Sequence, residues 1–286
     1  MALRTALALV LALASTVLVN LSYVREHRAV GAMAPLSLRR PIRSLGLLIA
    51  DRDWLSAFAM ESTGFGLYVA ALALADLALV QSVAAGGVGV LAVAAARIAG
   101  RPLSGRERAG AALAMIGLLA LAISLSGPHP AAAHGSTVAI LAWLGASALA
   151  AGLVVALCAR RLGTAAVNGI AAGLLFSAGD LSTKLVTQGG PRLLFAVPMF
   201  AGYLLGSSLL QIGYQRGAAL STAGIATLIT NALPIIAGSV LLAEPIPAGA
   251  LGVLRVLAFA TAVAGAAVLA RPHESGRRRS AERTAR

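Results

Sequence analysis

The chain has 286 residues, 59% of them hydrophobic and only 12% charged, which is too apolar for a soluble globule to cover itself with polar side chains. Its 23 Lys and Arg against 10 Asp and Glu give a formal charge of +13, which suits nucleic acid or an acidic membrane surface until the cations are placed along the chain. The single cysteine, Cys158, excludes an internal disulfide, a cysteine-based zinc site and a CxxC redox motif.

Crossing a hydrocarbon core of roughly 30 Å takes about 20 apolar residues. Nine runs of that length lie near residues 3–24, 53–75, 77–98, 108–126, 137–158, 164–187, 192–214, 219–242 and 250–270. They are apolar all round and rich in Ala and Leu, unlike the alternating segments of a membrane β-barrel. The expected fold is therefore all-α, a polytopic membrane protein of about nine transmembrane helices. The first run follows Arg4 and passes Ala12-Leu13-Ala14-Ser15 as a secretory leader would. It continues through Val17, Leu18 and Val19 into a cationic cluster, and is read as a span. In the basic loop 25–53, the stretch Pro41 to Ala50 is too short to cross. It reads as an interfacial helix with Leu36, Leu38, Ile42 and Leu45 inward and the arginines toward phosphate headgroups.

If loop 25–53 is cytoplasmic, 19 of the 23 cations fall on that side, leaving Arg4, Lys184, Arg192 and Arg255 opposite. The expected protein is a multi-pass component of the cell membrane with its N-terminus outside and its C-terminus cytoplasmic. Residues 272–286 should form a disordered basic tail.

A weak internal repeat relates Leu77-Ala78-Leu79-Val80-Gln81-Ser82, with the hinge Arg101-Pro102-Leu103-Ser104, to Ala219-Leu220-Ser221-Thr222, with the hinge Glu244-Pro245-Ile246-Pro247. The first hinge is Arg-rich and the second has no cation, the asymmetry an inverted repeat requires. The repeats are expected over 1–126 and 137–271.

The basic loop after the first span, Trp54 opening the second, Gly64, Tyr68 and Ala71 followed by Leu79-Val80, Phe176-Ser177 with nearby Lys184, and above all Gln211-Ile212-Gly213-Tyr214 leading to Arg216-Gly217-Ala218 and a span closed by Glu244 resemble the drug/metabolite transporter (DMT) superfamily. Within it the nearest likeness is to EamA-like transporters and the NIPA-type magnesium transporters. The resemblance implies a bundle of two inverted repeats, nominally ten helices with one of the first repeat reduced to the interfacial segment, carrying a small solute or cation. Two departures bear on magnesium. Ser82 and roughly Gly224 stand where the NIPA pattern has proline, and that pattern's acidic residue lies about one turn beyond Glu61. Lys184 matches the family's lysine only approximately.

An ionisable residue at membrane depth is by default a functional hypothesis. Glu61 lies seven residues past Trp54, sharing a face with Gly64, Phe65 and Tyr68. It could exchange a proton against a cationic substrate or help strip water from a metal ion; it could also merely bind helices together. Asp180 and Lys184 are four apart, in the favourable order for a pair on one face, and Lys184 could equally snorkel. Ser207, Gln211 and Tyr214 share a face of the seventh span, and Thr227, Asn231 and Pro234 one of the eighth, where Pro234 should interrupt the helix beside a cavity. Gly169/Gly173 and Gly202/Gly206 read as packing faces. His129 and His134, in an external loop with no carboxylate or cysteine beside them, make a poor metal site.

No nucleotide-binding or hydrolase motif occurs. The expectation is a transporter and not an enzyme, without cofactor, working by alternating access. The candidate substrate-binding residues are Glu61, Tyr68, Asp180, Lys184, Gln211, Tyr214, Thr227 and Asn231, with Glu61 the metal ligand if a cation is carried. The expected partners are a small-molecule or cation substrate, the bilayer and a second copy of the chain as a homodimer, with no nucleic acid. An organic solute ranks before Mg²⁺, because one clear midplane carboxylate is few for a hard divalent ion. The remaining alternative is a non-transporting scaffold or accessory subunit.

Overall fold

The computed structural model describes residues 2–84, 86–98, 100, 102, 104–124, 136–158, 162–217, 219–241 and 249–270. Every regular element among them is helical. In chain order these are α1 (Ala2–Gly31), α2 (Pro41–Ala50), α3 (Arg52–Leu74), α4 (Leu77–Ala84), α5 (Gly87–Ile98), α6 (Gly105–Ser124), α7 (Thr137–Leu157), α8 (Thr164–Val186), a 3₁₀ turn (Gly190–Phe195), α9 (Ala196–Tyr214), α10 (Ala219–Leu241) and α11 (Ala250–Ala270). Among the described residues five segments are long and apolar enough to cross a membrane: Leu3–Gly31, Arg52–Leu74, Thr137–Leu157, Thr164–Val186 and Gly190–Tyr214. The Glu244 hinge, Arg101, Leu103, His129, His134, Arg160, Arg161 and the basic tail lie outside the described residues.

Three expectations are corrected. The first helix does not stop near residue 24 but runs to Gly31, about 45 Å at 1.5 Å per residue. No breaker precedes Gly31, and the charges sort by face: Arg25 and Arg28 are exposed while Glu26 is fully buried. The run 77–98 is two helices, α4 and α5, because glycines 86, 87 and 89 weaken helix propagation there. The interruption expected at Pro234 is absent, and α10 passes through that residue unbroken. Of the four residues expected inward around α2, only Leu36 is buried in the protein. Leu38, Ile42 and Leu45 are exposed, the surface an interfacial helix turns to lipid.

Helix α8 is the hub. Of its most apolar stretch 72% is buried, against at most 39% in the other four candidate spans. It packs on α9, α10 and α7, while α1 packs on α3 and on α4 and α5, and α6 lies along α11. The glycine pairs explain how closely these helices approach. A Cβ at Gly169 would stand 2.6 Å from the Thr222 carbonyl oxygen of α10, and one at Gly202 would stand 2.7 Å from the Leu175 carbonyl oxygen of α8. At Gly206 it would strike the Phe176 ring, and at Gly64 it would lie 2.8 Å from Val19 of α1. Direct backbone contact of this kind is how helices associate without a hydrophobic driving force.

A methyl group at Gly169 therefore meets immovable backbone. Gly169→Ala should destabilise the purified protein by about 1–3 kcal/mol. Gly145→Ala on α7, where nothing lies within 4 Å, should be neutral or stabilising by up to about 1 kcal/mol. Unfolding of both variants in detergent micelles checks the contrast.

Candidate functional site

Local sequence sets the register of each wall of the site. The Asp51 side chain caps α3 by accepting a hydrogen bond from the Trp54 amide at 2.8 Å, which fixes Phe58, Glu61, Phe65 and Tyr68 along one face. On α1 a polar stripe at helical spacing comprises Thr16, Asn20, Tyr23 and Glu26. Phe176 and Asp180 are one turn apart on α8, as are Tyr203 and Ser207 on α9 and Thr227 and Asn231 on α10.

These faces border a half-open cavity of about 290 Å³, lined by Ser15, Thr16, Val19, Asn20 and Tyr23 of α1, Phe58, Glu61, Ser62, Phe65 and Tyr68 of α3, and Gln81 and Ala84 of α4. Phe176 and Asp180 of α8, Phe200, Tyr203 and Ser207 of α9, and Thr227, Thr230 and Asn231 of α10 complete it. The lining residues come from near the middle of the long helices. Ala84 is also the last residue of α4, so the broken span ends at the cavity wall.

Asp180 is held by donors from other helices. Gln81 Nε2 of α4 donates to its Oδ2 at 2.7 Å, and the Tyr203 hydroxyl of α9 donates to its Oδ1 at 2.5 Å. Tyr68 of α3 joins the network by accepting from Gln81 Nε2 at 2.6 Å. Tyr203 packs edge-on against Phe65, with ring centroids 4.7 Å apart.

A second carboxyl group sits elsewhere on the cavity wall. Glu61 lines the cavity and meets the side chain of Glu26 behind it. Glu26 is 0% exposed and takes a hydrogen bond on Oε2 from Gln211 Nε2. Its Oε1 is buried with no hydrogen-bond partner among the described residues. Gln211 Oε1 and the Tyr214 hydroxyl nearby are likewise buried without partners.

Five of the eight candidate residues, Glu61, Tyr68, Asp180, Thr227 and Asn231, therefore meet at one cavity. Gln211 and Tyr214 stand behind it with Glu26. Lys184 reaches the end of α3, where Nζ donates to the Leu72 and Ala75 carbonyls at 2.9 and 2.6 Å. Arg4 joins it there, donating to the Ala73 carbonyl at 3.0 Å. Cations at a helix C-terminus are stabilising, so Asp180 and Lys184 are drawn to different neighbours and Lys184 leaves the site. Among the described residues no group of three or more His, Cys, Asp and Glu could hold a metal ion.

Sequence reading missed Glu26, Gln81 and Tyr203. The signal for Glu26 was the polar stripe of α1, hidden by the adjacent Arg25, His27 and Arg28. No protein-family model, curated protein or solved structure matches the chain, so its functional reading rests on this site.

Tyr203→Phe removes a donor from a buried carboxylate and should lower stability by about 1–3 kcal/mol. Combined with Asp180→Asn the loss should be clearly less than additive, which a double-mutant cycle of denaturation free energies measures.

Proposed function

We propose that the chain is a secondary transporter of the DMT type, moving a small solute across the plasma membrane by alternating access. The observation that carries this reading is the cavity. It lies near mid-length of the long apolar helices, carries the buried carboxylate of Asp180 and the half-buried one of Glu61, and leaves Asn20 Oδ1 and Thr227 Oγ1 on its wall without hydrogen-bond partners. Helix-binding glue alone leaves no reason for such a void, because buried polar groups that only hold helices together satisfy one another.

The helix pairings support the inverted repeat. The packing of α1 on α3 and on α4 and α5 is paralleled by that of α8 on α9 and α10, while α6 and α11 lie together. In this reading α1 to α6 form one unit and α8 to α11 the other, with α7 as the single crossing that turns the second upside down. The arginine distribution then sets the N-terminus outside and the C-terminus in the cytoplasm. The cavity lies between the units, as alternating access requires. Across the two units Gln215, just after α9, donates from Nε2 to the Val30 and Ala34 carbonyls at 3.2 and 3.0 Å and accepts from the Leu36 amide at 2.8 Å.

Uptake of labelled solutes into proteoliposomes tests transport, with candidates chosen by a thermal-shift panel of metabolites and Mg²⁺, since a ligand bound only by the folded state raises stability. Glu61→Gln should keep the thermal stability of the parent within a few degrees and lose at least about tenfold in flux. Flux unchanged in a folded Glu61→Gln protein removes Glu61 from the mechanism. Variants of Glu61 and Asn231 that alter stability alone, with no solute taken up by the parent, favour the scaffold reading.

A further inference from the structure

The lining of the cavity shows where it opens. Of its twenty residues only three are exposed, Phe58 and Ser62 of α3 and Phe200 of α9, while those from α1, α4, α8 and α10 are all buried or half-buried. The helix packing agrees, since α3 rests chiefly on α1 and α9 chiefly on α8. Between α3 and α9 the rings of Phe65 and Tyr203 meet edge-on, with centroids 4.7 Å apart. Phe58, 42% exposed, stands two turns before Phe65 on α3, and Phe200, 66% exposed, stands one turn before Tyr203 on α9. Both helices belong to segments long and apolar enough to cross a membrane, and Phe65, Phe200 and Tyr203 fall close to the midpoints of those segments. In a bilayer the opening therefore faces hydrocarbon and not water.

Polarity is sorted between the mouth and the interior. Three phenyl rings, Phe58, Phe65 and Phe200, stand at the mouth. Further in, Asn20 Oδ1 and Thr227 Oγ1 are buried without hydrogen-bond partners, whereas the Asp180 oxygens already receive Gln81 and Tyr203. No Lys, Arg or His lines the wall, so an anionic head would meet two carboxyl groups and no cation. Plain hydrocarbon suits the mouth but leaves the inner polar atoms unsatisfied. A wholly polar solute would have to shed its water in hydrocarbon to enter from this side. A molecule with one neutral hydrogen-bonding end and one apolar chain matches both regions.

We propose that the cavity opens sideways into the bilayer between α3 and α9 and takes from it a neutral single-chain amphiphile bearing a hydroxyl head. The head enters first and finds the free acceptor Asn20 Oδ1 and the free hydroxyl of Thr227. The chain lies across the Phe65–Tyr203 pair and passes out along Phe58 and Phe200. Tyr203 is the fixed half of that pair: its hydroxyl donates to Asp180 at 2.5 Å and stands 3.3 Å from the Thr183 hydroxyl. Its ring lies so close to α8 that a Cβ at Gly179 would come within 3.1 Å of it. Phe65, half-buried on α3, is the half that yields and sets the width of the mouth. The proposal rests on the transporter reading for the fate of the ligand, while its binding stands on the cavity alone.

The probe is hexadecanol carrying a diazirine beside its hydroxyl end, added to the full chain in phosphatidylcholine bilayers, with photolabelled residues mapped by peptide mass spectrometry. Labels should reach the buried lining at Thr16, Asn20 and Phe176, and unlabelled hexadecanol should compete them away. Hexadecane, the same chain without a head, and hexadecyl phosphate should each compete at least about tenfold less well. Ser62→Trp, which sets a ring in the mouth, should cut inner labelling at least about fivefold in a protein whose thermal unfolding matches the parent. Should that variant fail to fold, the competition series on the parent decides alone. Inner labels that hexadecanol does not displace, equal competition by hexadecane, labels confined to exposed residues such as Phe200 and Leu204, or unchanged labelling of folded Ser62→Trp overturns the proposal. Equal inner labelling by a phosphatidylcholine with a mid-chain diazirine does so too, because bulk lipid then fills the cavity. Near-complete oxidative capture of dimers by Phe200→Cys in a Cys158→Ser background also overturns it, by placing a second copy over the mouth. Competed inner labelling in a protein that takes up no solute in proteoliposomes leaves this site standing and removes the transporter reading. Flux of a water-soluble solute without inner labelling does the reverse.

Discussion

Everything at the centre of the molecule depends on how closely two helices approach α8. Gly169 and Gly173 admit the backbone of α10, and α8 itself fits against Gly202 and Gly206 of α9. At such separations a side chain on one helix reaches the next without extending. The Tyr203 hydroxyl thus meets Asp180, and Thr230 Oγ1 approaches the Gly173 carbonyl at 3.4 Å. Larger residues along these faces would push α9 and α10 outward and open the aromatic wall that Phe65, Phe176 and Tyr203 build together. Small residues here thus set the dimensions of a cavity they do not line.

Burying acids in an apolar bundle is expensive, and the protein solves the problem twice, differently. Around Asp180 it supplies hydrogen-bond donors from two other helices, which makes the carboxylate a junction of α4, α8 and α9, with Tyr68 of α3 tied in through Gln81. Such a network is rigid when complete. Around Glu26 and Glu61 it supplies almost none, and the two acids face one another. The contrast lies in the donors, since both positions are enclosed by similar apolar walls.

Much of the helical layout was legible in the sequence, because span length and glycine spacing are imposed by the bilayer and by backbone contact, and both leave a local trace. Glu61, Asp180, Thr227 and Asn231 were found by the same logic of polarity at depth. Glu26 was not, because a run of neighbouring charges looks like loop until the helix is known to continue and its faces are separated. The break between Ala84 and Gly87 falls inside a run that reads as one continuous span over 77–98. A proline is the stronger breaker in isolation, but Pro234 sits where α10 is flanked by α8 and α11, and packing holds the helix through it. Lys184 was assigned to the site by sequence spacing, which records what lies on its own helix and not that the open carbonyls of α3 end beside it. Sequence patterns see one helix at a time, and the departures at Pro234 and Lys184 arise between helices.

The Gln215 side chain has a consequence for how the protein is made. The turn that ends α1 closes locally, with Met33 N donating to the Val30 carbonyl at 3.1 Å, whereas the Ala34 carbonyl beyond it finds its partner in a side chain some 180 residues further along. The Leu36 amide depends on the same residue. During synthesis the segment that follows α1 therefore lacks these partners until α9 has been made and brought alongside, and an early part of the chain is fastened by a late one.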